Sequence, residues 1–211
     1  MSATPPAPSR RVRLQRRALR LEYATIAWNL GEAVFTVSLG VAAGSLALIG
    51  FGTDSVIEVF ASSVVVWHIR PEHTTEDAVR TRRALRLVAI AFIALAIVLG
   101  VVSIRDLLLG RRADESVVGI VYLAVTAVIM FSLAVAKRRT AVELGSAPLR
   151  SEASMTFLDG ILSTLTMTGL ALNAVLGWAW ADPAAALVVA IAAAREGRAN
   201  LIEADEISSS D

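Results

Sequence analysis

Cysteine is absent from the 211 residues, which excludes a disulfide scaffold and any thiolate metal or redox centre. Charge is scarce as well. Only 18% of residues are charged and 55% are hydrophobic, against about 25% and about 45–50% in an ordinary soluble domain. A chain of this length cannot bury such an apolar excess in a water-soluble core, so the composition points to a membrane protein. The net charge is +1, without the basic excess that nucleic-acid binding needs. Lysine and arginine are missing altogether between Arg20 and Arg70, and again from Ser151 to Ala194. Each gap is about twice the ~20 residues that cross a ~30 Å hydrocarbon layer, so each holds two spans.

The spacing predicts helices over about 22–43, 46–67, 84–104, 116–136, 151–177 and 183–195. None of the six prolines falls inside one of them, as backbone that must bond to itself in lipid requires. Pro183 would open the sixth helix with Asp182 as its N-cap. Seventeen of the twenty basic residues fall on one side of this arrangement, and only Arg105, Arg111 and Arg112 on the other. The positive-inside rule then places both termini in the cytoplasm. All four tryptophans lie near expected helix ends, as an aromatic belt would. The fold class is all-α, a polytopic membrane protein with six transmembrane helices. A disordered basic tail is expected over 1–20, the transmembrane domain over 21–197 and a short cytoplasmic tail over 198–211. The first apolar segment is too long for a signal peptide and follows a 20-residue tail.

Carboxylates inside lipid are costly and need a reason. The expected spans contain Glu32, Asp54, Glu58, Glu152 and Asp159, with no basic residue deep enough to pair with them. Asp54 and Glu58 are four apart and share a helix face. At 1.5 Å per residue, Glu32, Glu58 and Asp159 lie about 15, 14 and 12 Å in from the cytoplasmic helix ends, and Asp54 about one turn further. Carboxylates from three segments thus reach a similar depth, an oxygen-rich arrangement suited to a hard divalent cation. Asn29, one turn before Glu32, offers a further oxygen. Gly50, Gly52, Ser55, Ser62, Ser63, Gly160 and Ser163 flank the acids and permit close helix approach. Membrane acids also serve as neutral hydrogen-bonding ties between helices. Glu152, beside Arg150 near the interface, fits that role as well as a ligand role. His68 and His73, near the cytoplasmic end of the second helix, could bind metal at the surface but read rather as ordinary loop residues.

The stretch GSLALIGFGTDSVIE from Gly44 to Glu58 resembles the second-helix signature of the cation diffusion facilitators. ASMTFLDGILS from Ala153 to Ser163 is similar to the fifth-helix signature, and DPAAALVVAI from Asp182 to the start of the sixth helix. The similarity covers about residues 22–200. It implies a six-helix, homodimeric exporter that exchanges divalent metal for protons by alternating access. It also implies a tetrahedral site with two residues from helix 2 and two from helix 5. Asp54, Glu58 and Asp159 match three of these places. The fourth falls on Met155, where the family has His or Asp, and a thioether is a poor ligand for zinc or a hard cation. Glu32, Glu152, Asn29 or water would then complete the shell. The family's cytoplasmic metal-binding domain after helix 6 has no counterpart, so dimer contacts are expected from the helices or the tail.

The expected function is metal/proton antiport through Asp54, Glu58, Asp159 and Glu32. No nucleophile–base pair or cofactor motif suggests an enzyme. The expected partners are a divalent cation, protons, the lipid bilayer and a second copy of the chain, with no nucleic acid. Zinc leads as cargo by family, while the absence of membrane His and Cys favours manganese, iron(II), cobalt or magnesium. A non-transporting subunit or metal sensor is the alternative, followed by a carrier of small organic cations. Nineteen of the twenty basic residues are arginine and alanine is abundant. That usage fits a GC-rich bacterial genome, hence a multi-pass protein of the inner (plasma) membrane.

Overall fold

The computed structural model describes residues 10–43, 46–70, 78–110, 117–178 and 180–209. They form six helices and no strand: α1 (Arg10–Ala43), α2 (Leu46–Ile69), α3 (Ala78–Leu109), α4 (Val117–Leu144), α5 (Ala147–Leu176) and α6 (Ala181–Ser209). Three close pairs build the bundle: α1 with α2, α3 with α6, and α4 with α5. α5 then packs on α6, and α2 on α3.

Most helices run longer than the sequence pattern suggests. α1 begins at Arg10, so residues 10–20 are helical where a disordered tail is expected; residues 1–9 lie outside the described residues. Its six arginines are all exposed while Gln15 and Ala18 between them are buried, so packing of one face carries the helix through a basic run. α6 likewise continues through the expected tail to Ser209. Because α6 starts at Ala181, Asp182 sits in its first turn rather than capping it, and Pro183 is its third residue. The Asp182 side chain lies outside the described residues. α4 runs past Lys137 to Leu144, and only Gly145 and Ser146 separate it from α5.

That tight turn has a local cause. Gly145 takes φ 67°, the left-handed conformation that glycine adopts without a Cβ penalty. The Ser146 amide donates to the Ala141 carbonyl at 3.0 Å and the Gly145 amide to Val142 at 3.3 Å, the two bonds of a Schellman cap. Ser146 then caps α5, its hydroxyl accepting from the Leu149 amide at 3.4 Å.

Ion pairs tie the helix ends that the charge pattern assigns to one side. Arg10 meets Glu143 at 3.1 Å, Arg86 meets Asp205 at 2.7 Å and Arg150 meets Glu203 at 2.7 Å. The start of α1 and the end of α6 therefore lie at the same end of the bundle, here the basic end. Exposed pairs of this kind stabilise by about 0–1 kcal/mol each, so they mark proximity more than they hold the fold.

Polarity is inverted relative to a soluble protein. Leu30, Val34, Phe35, Ile97, Val101, Val121, Val128, Val175 and Val188 are exposed, while Glu22, Glu32, Asp54, Glu58, Lys137, Glu152 and Asp159 are buried. Monomeric soluble proteins do not expose an apolar surface so extensive. Among the described residues, Ala78–Leu109 and Ile120–Leu144 are long and apolar enough by themselves to cross a membrane. Three of the remaining helices, α1, α2 and α5, carry the buried acids.

Candidate cation site

Helical periodicity puts the buried polar groups in seams. On α1, Gln15, Glu22, Thr25, Asn29, Glu32 and Thr36 are all buried. With Ala18 they step by three and four residues, so they form one stripe. On α2 the stripe is Asp54, Ser55, Glu58 and Ser62; on α5 it is Glu152, Thr156, Asp159 and Ser163. α1 can lie close to α2 because Gly52 has no side chain. A Cβ there would stand 2.5 Å from Val37 Cγ2 and 2.7 Å from Thr36 Oγ1. At Gly160 a Cβ would meet the Phe131 ring at 3.0 Å, so α5 approaches α4 in the same way.

The seams form two layers. In the deeper one, Glu32 accepts from the Tyr122 hydroxyl on Oε1 at 2.8 Å and from the Ser55 hydroxyl on Oε2 at 3.1 Å. Asp54, Glu58 and Glu32 all lie within electrostatic reach of Asp159, and Glu58 and Glu32 within reach of Asp54. Asp159 Oδ2 and Asn29 Oδ1 are buried without a hydrogen-bond partner among the described residues. The four expected ligands thus share one interior region, reached from α1, α2 and α5. They do not form a closed cage: among the described residues, no three His, Asp or Glu side chains stand close enough to hold a metal ion. The hydroxyls of Tyr122, Ser55 and Thr156 engage Glu32 and Glu58 individually. Met155, the place the resemblance gives to a fourth ligand, is buried in the apolar core. Its neighbour Thr156 reaches Glu58 instead, the hydroxyl donating to Oε1 at 2.6 Å.

The second layer corrects the expectation that no basic residue pairs with the acids. Lys137 is fully buried and its ammonium donates to both oxygens of Glu152 at 2.7 Å and to Thr156 Oγ1 at 3.1 Å. Glu22 Oε2 lies 3.4 Å from the same nitrogen. Ser62 donates to Glu152 Oε1 at 2.8 Å. The misreading came from Arg138 and Arg139, which made Lys137 look like part of a basic stop at the interface. Two signals were available. Lys137 is the chain's only lysine among twenty basic residues, and it continues the buried α4 series Met130, Ala134, Ala141 at steps of four, three and four.

At the end of α2, Arg80 lies over the Trp67 ring at 4.2 Å and donates to the Trp67 carbonyl. His68 beside them, past the expected span, is buried; burial and then the Arg80 charge push its imidazole down to about 4. It is a neutral packing residue. His73, Arg111 and Arg112 lie outside the described residues.

An acid-lined interior within an apolar exterior is an arrangement for passing cations through lipid, and the sequence comparison agrees. Residues 23–204 match the family profile of the cation efflux transmembrane domain. The chain belongs to the cation efflux family. A cation efflux protein is a membrane protein of a family that transports divalent cations. No curated protein matches this sequence. The family's span begins one residue after Glu22 and takes in the four cargo acids together with Ser62, Lys137 and Glu152 of the second layer.

Proposed function

We propose that this cation efflux protein is a metal/proton antiporter. It works as a homodimer in the plasma (inner) membrane, with six spans and both termini in the cytoplasm. Asp54, Glu58 and Asp159 bind the cargo ion, and Glu32 contributes from α1. The observation that carries this reading is Asp159 Oδ2, a carboxylate oxygen buried among three other acids with no hydrogen-bond partner among the described residues. A buried carboxylate without a donor needs a proton or a cation. The same group can hold either, so release of one and uptake of the other are linked without further parts. Alternating access then requires the helices to shift around the acids, as in other secondary transporters. Carboxylate and hydroxyl oxygens in place of His and Cys favour manganese, iron(II), cobalt or magnesium, while family likeness favours zinc.

Proteoliposomes holding the full chain and a pH dye test this across those five ions. Cation uptake with opposite proton movement is expected, and Asp54→Asn and Glu58→Gln should abolish both. No flux in the wild type would leave the chain a non-transporting subunit or sensor. Undiminished flux in both variants would remove the site.

A further inference from the structure

The Lys137 layer stands between the basic end and the cargo acids. Glu152 and Thr156 are one turn apart on α5, as are Ser62 and Glu58 on α2. Glu22, Ser62, Lys137 and Glu152 join α1, α2, α4 and α5 around a single ammonium group. Each of the three charged members is fully buried. A buried charge persists only where pairing and hydrogen bonds offset its desolvation: within this cluster Lys137 and Glu152 have both, whereas Glu22 has the ion pair alone, with neither oxygen hydrogen-bonded among the described residues.

Its link to the cargo acids runs through one hydroxyl. Thr156 has a single O–H hydrogen, with Glu58 Oε1 at 2.6 Å and Glu152 Oε1 at 3.2 Å as competing acceptors. The Lys137 ammonium, donating into Thr156 Oγ1 and holding both oxygens of Glu152, leaves Glu58 as the better acceptor. That bond fixes Oε1 of Glu58 and leaves Oε2 for another partner. The charge of Lys137 also acts on Glu58 directly, as it does on Glu22 and Glu152.

The geometry points to Lys137 as a tethered competitor cation: a positioning residue that orients Glu58 through Thr156 and, by its charge, weakens the hold of the cargo acids on a divalent ion. Glu152 and Glu22 keep it in place from the basic end. Weak binding has a use, because a carrier whose four acids faced a dication unopposed would release it slowly. The inference rests on Glu58 being a cargo ligand.

Charge-neutral variants of similar size give opposite signs. Zn²⁺ and Mn²⁺ binding to the purified full chain in nanodiscs, with flux in proteoliposomes, is the measurement. Lys137→Gln should tighten binding by about tenfold or more, lowering KM and kcat together. Glu152→Gln, which leaves the ammonium less compensated, should weaken binding by a similar factor. Lys137→Arg, which keeps the charge, should stay near wild type. A merely structural ion pair would move both neutral variants the same way. Shifts of one sign, no shift, or Lys137→Arg behaving like Lys137→Gln would overturn the inference. Should Lys137→Gln fail to fold, unchanged or tighter binding in Glu152→Gln overturns it alone. Glu58→Gln separates the two readings: retained cation binding there removes the cargo site, whereas lost binding together with a failed sign test removes only the role of Lys137.

Discussion

Tyr122 on α4 donates its hydroxyl to Glu32 on α1 at 2.8 Å, a polar tie between the two helices at the depth of the cargo acids. The ring stacks on Trp28 at 6.4 Å and is tilted against Phe35 at 6.1 Å. Tyr122→Phe keeps the ring and removes one donor from a buried acid. A hydrogen bond to a charged group is worth about 1.5–3 kcal/mol, so the melting temperature in detergent should fall. Glu32→Gln should remove most of the difference between Tyr and Phe at position 122. Additive effects in this double-mutant cycle would show that the hydroxyl does not act through Glu32.

Asp159 differs from Glu32 in having a buried oxygen, Oδ2, with no hydrogen-bond partner among the described residues. Asp159→Asn keeps the shape and removes the charge, and it relieves repulsion with Asp54, Glu58 and Glu32. The variant should therefore be at least as stable as wild type while its cation flux falls by about tenfold or more, the scale of losing even an outer-shell metal partner. Loss of stability together with flux would mean that Asp159 serves folding instead.

Gly52 and Gly31 make a matched pair on the α1–α2 hairpin. A Cβ at Gly52 would stand 2.5 Å from Val37 Cγ2, whereas at Gly31 there is nothing within 4 Å. Gly52→Ala should destabilise by about 1–3 kcal/mol through overpacking. Gly31→Ala should be neutral or stabilising by about 0.5–1 kcal/mol, because alanine is the better helix former. Thermal unfolding of the two variants checks both signs.

How far the sequence could be read depends on which interaction decides each feature. Six helices follow from hydropathy and from gaps in the basic residues, since lipid demands continuous apolar backbone. Asp54, Glu58, Asp159 and Glu32 stand out because acids are rare in such segments. The helix ends were misplaced for a common reason. Arg10 to Arg20 and Arg195 to Ser209 have polar sequences, and their helices are held by one packed face and by pairs such as Arg86–Asp205, which no local pattern reveals. Thr156 and Tyr122 were missed because a hydroxyl's importance depends on which helix it faces. Lys137 required knowing that α4 continues to Leu144, so that its side chain turns inward while Arg138 and Arg139 stay exposed.

The absence of cysteine makes the orientation directly measurable. Arg16 on the basic end of α1 and Leu108 at the far end of α3 are both exposed, Leu108 by 80%, so single cysteines at these places create one reactive thiol each. Sixteen of the twenty basic residues belong by sequence to the side that includes Arg16, with Lys137 buried beneath them, and the positive-inside rule places that side in the cytoplasm. A membrane-impermeant maleimide should therefore label Leu108→Cys in intact cells and spare Arg16→Cys, with the reverse in inside-out vesicles. Because the Arg10–Glu143 and Arg150–Glu203 pairs, joined by the short α4–α5 turn, tie the first and last helices to one end, a cysteine at Asp205 should follow Arg16→Cys. Labelling of Asp205→Cys from the opposite side would break the six-span topology, since only an even number of crossings returns the chain to where it began.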